Sequence, residues 1–124
     1  NTELKLERNH AVSFANVTKN KGSNGLTFKI EKSSKLTFNG GDLSGVKEIL
    51  HSINAAGAGH EQSKIIFNAD TTLNAEIKDK NGRNQGLVYV NADVMFNEGV
   101  GNSFALQVNN GKKATIKKYF LRKR

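Results

Sequence analysis

Apolar and polar residues alternate in several short segments of this chain. Residues 26–30 are LTFKI, residues 73–77 are LNAEI and residues 104–108 are FALQV, so every second residue is apolar. A period of two is typical of a strand with one buried face. Short apolar runs at residues 36–38, 65–67 and 94–96 predict further strands. The pattern therefore predicts a mainly β domain.

The period changes over residues 42–54. Apolar residues there recur at intervals of three and four: Leu43, Val46, Ile49, Leu50 and Ile53. This spacing favours one face of a short α-helix. Asp42 or Ser44 is suited to cap its start, and Gly57 is suited to end it. We therefore predict one amphipathic helix near residues 42–54.

Three Phe-Asn pairs end apolar runs at equal intervals of 29 residues: Phe38-Asn39, Phe67-Asn68 and Phe96-Asn97. Residues 86–99 also repeat the strand, turn, strand and flanking glycines of residues 25–41. Such self-similarity is typical of architectures in which each unit buries its apolar face against its neighbours. We predict a single-stranded parallel β-helix, or solenoid, in which the three Phe side chains stack and the Asn residues lie at turns.

Other folds fit the same alternation. Hydrophobic alternation does not distinguish parallel from antiparallel pairing, so a β-sandwich or jelly roll is the alternative. A mixed α+β fold is a third interpretation, because the predicted helix interrupts the repeat.

Length and composition limit the domain organisation. The 124 residues are enough for one domain, and the absence of Cys excludes disulfides and thiolate metal sites. No apolar stretch reaches the length of a membrane-spanning helix. The chain starts with Asn1 and shows no signal-peptide pattern, so we expect an excised domain, a mature product or a fragment.

The net charge of +8 is concentrated at one end. Residues 112–124 hold seven of the 19 basic residues and no acidic residue, whereas the remainder is nearly neutral. We therefore divide the chain into a β domain at 1–116 and a basic tail at 117–124. One hypothesis is that the basic end binds polyanions such as nucleic acid or acidic glycans. Its candidate residues are Lys112, Lys113, Lys117, Lys118, Arg122, Lys123 and Arg124.

Residues 63–77, SKIIFNADTTLNAEI, and residues 86–116 resemble the passenger domains of bacterial autotransporters. The amino-acid composition, rich in Asn and Lys, is also similar to that of rickettsial surface antigens. The resemblance implies a right-handed parallel β-helix that is secreted or held at a bacterial cell surface. It also implies a non-enzymatic adhesin, a virulence-type function, with a host or cell-surface protein or glycan as partner. The open ends of an excised solenoid predict self-association.

The sequence contains no recognisable catalytic constellation, and we predict no cofactor and no metal site. His10, His51 and His60 are isolated from one another, and His51 is predicted on the exposed face of the helix. Carbohydrate-active enzymes with β-helical folds use clustered carboxylates, for which Asp70, Glu76, Asp79 and Asp93 are the candidates. Such an enzyme is the alternative function. Nucleic acid is the less favoured partner, since no nucleic-acid fold signature accompanies the basic residues.

Overall fold

The computed structural model describes residues 2–51, 63–79, 86–101 and 105–118. Within these ranges the chain forms twelve short β-strands and no helix, and therefore no helix that could cross a membrane. The strands make up three sheets. The predicted mainly β character is confirmed.

The strands are distributed over the sheets in a regular way. The first sheet contains β1 (Thr2–Leu6), β3 (Leu26–Ile30), β5 (Val46–His51) and β8 (Glu76–Asp79), in that order. The second sheet has the order β11 (Ala105–Val108), β9 (Leu87–Val90), β6 (Lys64–Phe67), β4 (Lys35–Phe38) and β2 (Ala11–Phe14). The third sheet has the order β12 (Ala114–Ile116), β10 (Val94–Phe96) and β7 (Thr71–Leu73).

Strand pairing is parallel at every contact between the described strands. A sandwich or jelly roll requires antiparallel pairs, so that alternative does not fit the described strands. From β6 to β8 the chain makes one pass through the second, third and first sheets, and β9 and β10 begin the next pass. An isolated bridge from Val100 to Ile77 takes the place of a first-sheet strand in that pass, before β11 and β12 return to the second and third sheets. Each inner strand of a sheet thus pairs with one strand from an earlier pass of the chain and one from a later pass, whereas the edge strands have one partner each.

The core consists of columns of apolar side chains that run across the sheets. In the second sheet, β4, β6 and β9 are in register, so that Phe38, Phe67 and Val90 lie side by side. All three are at most 1% exposed. Alternate residues of these strands point inward, as the period of two predicted.

Aromatic rings connect these columns through the core. The ring centroids of Phe38 and Phe67 are 5.5 Å apart in a stacked arrangement, and those of Phe67 and Phe96 are 5.5 Å apart edge to face. Phe28 makes edge-to-face contacts with Phe38 at 5.7 Å and Phe14 at 5.8 Å. The predicted stacking is therefore confirmed for Phe38 and Phe67, whereas Phe96 contacts Phe67 edge to face.

The predicted helix near residues 42–54 is wrong, because residues 46–51 form the strand β5. Leu26 pairs with Val46, but the next residue, Thr27, pairs with Glu48, so Lys47 is an extra residue in a β-bulge. A bulge shifts the alternation by one residue. Val46 and Ile49 therefore both point inward although they are three residues apart, which imitates helical spacing.

The position of His51 also differs from the helix prediction. His51, which we predicted on an exposed helical face, ends β5 and is 1% exposed. Ile53 and Gly57 lie outside the described residues.

The repeat is also less regular than the sequence predicts. Phe38 and Phe67 are register partners in the second sheet, but Phe96 belongs to the third sheet, where its partner is Leu73. The two segments that seemed to be copies occupy different sheets, since 25–41 covers the first and second and 86–99 covers the second and third. The equal spacing of the third Phe-Asn pair is therefore a coincidence.

Candidate functional site: a polar groove on the third sheet

The outer face of the third sheet forms the floor of a groove. Thr72, Met95 and Thr115 occupy equivalent positions on β7, β10 and β12. Their neighbours Leu73 and Phe96 are fully buried on the opposite face. Because side chains alternate along a strand, the three floor residues point away from the core. Two hydroxyls and one thioether are thus displayed side by side on a parallel sheet.

A column of charged turn residues lines one side of the floor. The main-chain N–H of Asp93 donates to Oδ1 of Asp70 over 2.9 Å, and that of Lys113 donates to Oδ1 of Asp93 over 3.0 Å. Each carboxylate therefore holds the turn of the next pass at a fixed distance. A carboxylate has about four acceptor positions, so this hydrogen bond leaves others for a ligand.

Amide side chains follow the floor strands on the other side. Nδ2 of Asn97 donates to Oδ1 of Asn74 over 2.7 Å. Asn74 directly follows β7 and Asn97 directly follows β10. A hydrogen-bonded amide pair has fewer orientations than a free side chain. The pair therefore loses less conformational entropy when it binds a ligand.

Gly41, Asp42 and Ser44 lie at the end of the groove next to β7. The Ser44 hydroxyl donates to Oδ1 of Asp42 over 2.8 Å, and the Ser44 N–H donates to the same oxygen over 3.2 Å. These two hydrogen bonds, the hydroxyl first, lower the pKa of the Asp42 carboxyl from its ordinary value. Asp42 therefore contributes a fixed negative charge at neutral pH.

The resulting groove has a volume of about 640 Å³; most of its lining residues are polar, although more of its surface is apolar than polar. Its charged lining residues are Asp42, Asp70, Asp93 and Lys113. Three carboxylates against one ammonium give a negative groove on a chain whose net charge is +8. The acceptors, hydroxyls and amides fit a neutral ligand rich in hydroxyl groups better than an anion.

A ladder of asparagines strengthens the turns beside this groove. Nδ2 of Asn68 donates to Oδ1 of Asn39 over 2.8 Å, and Nδ2 of Asn91 donates to Oδ1 of Asn68 over 2.9 Å. The predicted turn position of Asn39 and Asn68 is confirmed. Asn97 belongs instead with Asn74, on the far side of the third sheet.

The structure brings only two of the four candidate carboxylates together. Asp70 and Asp93 are neighbours through the hydrogen bond described above, whereas Glu76 and Asp79 lie on β8 of the first sheet. Within the described ranges, no three His, Cys, Asp or Glu side chains are grouped as metal ligands would be. His10 is exposed and hydrogen-bonds through Nδ1 to the main-chain oxygen of Arg8, and His60 lies outside the described residues.

The basic candidates do not act as one cluster in the part that the structure describes. Lys113 lines the groove, and Lys118 Nζ donates to Oε1 of Glu98 over 2.7 Å. That hydrogen bond raises the pKa of the Lys118 ammonium above its ordinary value. Lys112 and Lys117 are exposed. The other three candidates, Arg122, Lys123 and Arg124, lie outside the described residues.

Sequence reasoning missed the floor residues Thr72, Met95 and Thr115, as well as Asn74. One signal could have found their neighbourhood, because Asn-Ala-Asp occurs at 68–70 and again at 91–93, a spacing of 23 residues. Thr72 and Met95 are also 23 residues apart, as are Asn74 and Asn97. The Phe-Asn spacing of 29 residues concealed this second interval.

Comparisons of the chain with family models, with curated proteins and with solved structures found no match.

Proposed function

We propose that this chain is a non-enzymatic binding module with a parallel β-solenoid scaffold that presents the third-sheet groove to a neutral glycan. Parallel pairing at every described contact supports the solenoid, as does the repeated passage of the chain through the three sheets. The resemblance of residues 63–77 and 86–116 to autotransporter passengers supports a secreted or cell-surface adhesin. Its partner is then a glycan, free or on a host or cell-surface protein.

The observation that carries the proposal is the column Thr72, Met95 and Thr115, which has a row of charged turn residues on one side and the Asn74 amide on the other. Parallel strands are about 4.8 Å apart, so the floor side chains follow one another at a spacing close to that of successive sugar rings. Hydroxyl groups of a sugar both donate and accept, which matches a lining of carboxylates, amides and hydroxyls. A thioether provides an adaptable apolar contact for the face of a sugar ring.

Turnover is not part of the proposal. Asp70 and Asp93 each use Oδ1 to bind the main-chain amide of the next pass, which is a structural role. General acid–base cleavage of a glycosidic bond requires two carboxyl groups on opposite sides of the scissile bond. Asp70 and Asp93 instead lie on the same side of the groove floor.

Polyanion binding is a weaker function for the described part of the chain. The groove itself is negative, and Lys118 is paired with Glu98. The two modes differ in salt dependence, because neutral sugars bind without counterion release whereas polyanions bound to lysines release counterions. A salt titration therefore separates them.

A glycan array with neutral, acidic and basic polymers tests the proposal. We expect retention of neutral glycans that changes little between low and high NaCl concentration. The Thr72→Arg variant places a long charged side chain on the groove floor and should abolish this retention. The matched control is Gln107→Arg, an exposed outward position on β11 of the second sheet, which should bind as the unmodified chain does.

Other outcomes contradict the proposal. Equal loss of binding in both variants would show that the groove is not the site. Binding confined to heparin-like polymers and removed by salt would support the basic residues instead. Release of reducing ends from a bound glycan would show an enzyme.

A further inference from the structure

One end of the sheets exposes apolar residues at positions that belong to the core. Leu106 and Val108 on β11 are 41% and 39% exposed, and Ile116 on β12 is 40% exposed. Their register partners Val88, Val90 and Phe96 are all 0% exposed. These three residues therefore continue the buried columns, but the described part of the chain leaves each of them about 40% exposed.

The opposite end of the second sheet has the same character. β2 is the last strand there, and its inward residues Val12 and Phe14 are half-buried. They continue the columns of Leu36 and Phe38, which are 0% and 1% exposed. Each end of the sheet thus has two apolar side chains in the same register.

Neither edge carries the residues that normally prevent strand addition. The sequences are AVSF in β2 and ALQV in β11, with no charged residue and no proline. Natural proteins usually protect edge strands with charges, prolines or bulges. The edge of the first sheet shows the difference, because β1 carries Glu3 and Lys5 on its exposed positions.

We propose that this chain associates head to tail with further copies of itself, with β11 of one copy pairing in parallel with β2 of the next. Leu106 would then cover Val12, and Val108 would cover Phe14, in the register that already relates neighbouring strands of the sheet. The partner must offer a parallel edge with two apolar residues in this register, and the chain's own opposite end does so. Such a contact uses different surfaces on the two copies, so it produces open chains of molecules.

Charge opposes this association. Every copy carries a net charge of +8, so copies repel one another at low ionic strength. At 0.1 M salt the repulsion between charges is largely screened beyond about 10 Å, whereas the apolar contact is unaffected. Association by these edges should therefore increase with NaCl concentration, whereas association by ion pairs would decrease.

Sedimentation velocity of the full chain, in a concentration series up to about 1 mM, tests the proposal. We expect an average mass above that of one 13.6 kDa chain, rising with protein and salt concentration. Leu106→Lys should remain a monomer throughout. Gln107→Lys, on the outward face of the same strand, is the matched control and should associate as the unmodified chain does.

Mixing two variants identifies the orientation of the contact. Leu106→Lys blocks one end and Val12→Lys blocks the other, so each should be monomeric alone and the mixture should form dimers of one copy each. Circular dichroism checks that both are folded. If Val12→Lys does not fold, the contrast between Leu106→Lys and Gln107→Lys still decides the proposal, because Leu106 is already 41% exposed.

Three results would overturn the proposal. The first is a monomeric chain at every protein and salt concentration. The second is association that Leu106→Lys leaves unchanged. The third is association of Val12→Lys alone to the same extent as the unmodified chain, which would mean that β2 takes no part.

Discussion

Gly40 is the position where the structure makes its sharpest prediction about stability. A Cβ atom added to Gly40 would lie 1.9 Å from the main-chain oxygen of Ala15, 2.8 Å from its carbonyl carbon and 2.2 Å from Oδ1 of Asn16. Gly40 does not have a left-handed backbone conformation, so backbone strain is not the issue. The Gly40→Ala variant therefore tests the close approach of two successive turns and nothing else.

The size of the effect follows from how firmly the opposing turn is held. Real Cβ atoms stay at least 3.0 Å from such atoms, so the turn must move by about 1 Å. Three hydrogen bonds resist that movement: Asn39 N–H to Phe14 O, Asp42 N–H to Asn16 Oδ1 and Val17 N–H to Asp42 O. Overpacking costs about 1–3 kcal/mol, and each lost hydrogen bond costs about 1 kcal/mol. We expect the free energy of unfolding to fall by about 3–4 kcal/mol.

Urea unfolding followed by circular dichroism measures this loss. With a slope of about 1–3 kcal/mol per M urea, the midpoint should fall by about 1–4 M. Gly111→Ala is the control, because its φ of +81° disfavours alanine but nothing lies within 4 Å of the added atom. It should cost only about 1–2 kcal/mol. If Gly40→Ala costs no more than this control, the two turns do not approach as described.

Three further predictions concern the core, a buried hydroxyl and an exposed carboxylate. Phe67→Ala removes a ring with two ring neighbours at 5.5 Å and should lower the free energy of unfolding by about 3–5 kcal/mol. Phe14→Ala should cost less, because the Phe14 side chain is half-buried, and equal losses of the two variants in urea unfolding would contradict this. Ser63→Ala should leave stability unchanged or raise it by about 1 kcal/mol, because the fully buried Ser63 hydroxyl has no hydrogen-bond partner in the described structure. Ser34→Ala loses a hydrogen bond and should be destabilised. A lower thermal midpoint for Ser63→Ala than for Ser34→Ala would refute the argument. The pKa of Asp42 is lowered from 3.8, so its stabilisation of the fold is complete above that pH and is lost as pH falls through the lower folded-state value. Below about pH 4 the unmodified chain should therefore lose stability more steeply than Asp42→Asn. If the free energies of unfolding of the two chains fall in parallel with pH, Asp42 makes no such contribution.

Alternation and short apolar runs together were enough to locate most strands, since both mark segments with side chains that face the core. Residues 64–67 and 87–90 each alternate between half-buried and fully buried positions along one strand. The same reasoning failed over residues 42–54 because one extra residue, Lys47, moved Val46 and Ile49 onto the same face. A prediction that assumes a constant hydrophobic period cannot detect a bulge.

The pairing of strands was harder to predict because successive passes differ in length. In the second sheet, the intervals between register partners are 24 residues from Val12 to Leu36, 29 to Ile65, 23 to Val88 and 18 to Leu106. The connections between strands differ in length, and the columns remain aligned although no single period describes the chain. A search for one constant interval therefore selects chance matches such as Phe96.

The groove depends on the same turns, which is why it was also hidden. Asp70 and Asp93 appear in the sequence as isolated turn residues, and only the 23-residue interval between their passes brings them together. Their side chains then hold successive turns in position and at the same time supply the charge of the groove wall. The structural role explains why these carboxylates are fixed, and the fixed position is what makes them suitable for recognition. A binding defect in an Asp70 variant must therefore be compared with its stability, whereas Thr72 has an exposed side chain, so that its replacement tests recognition more directly.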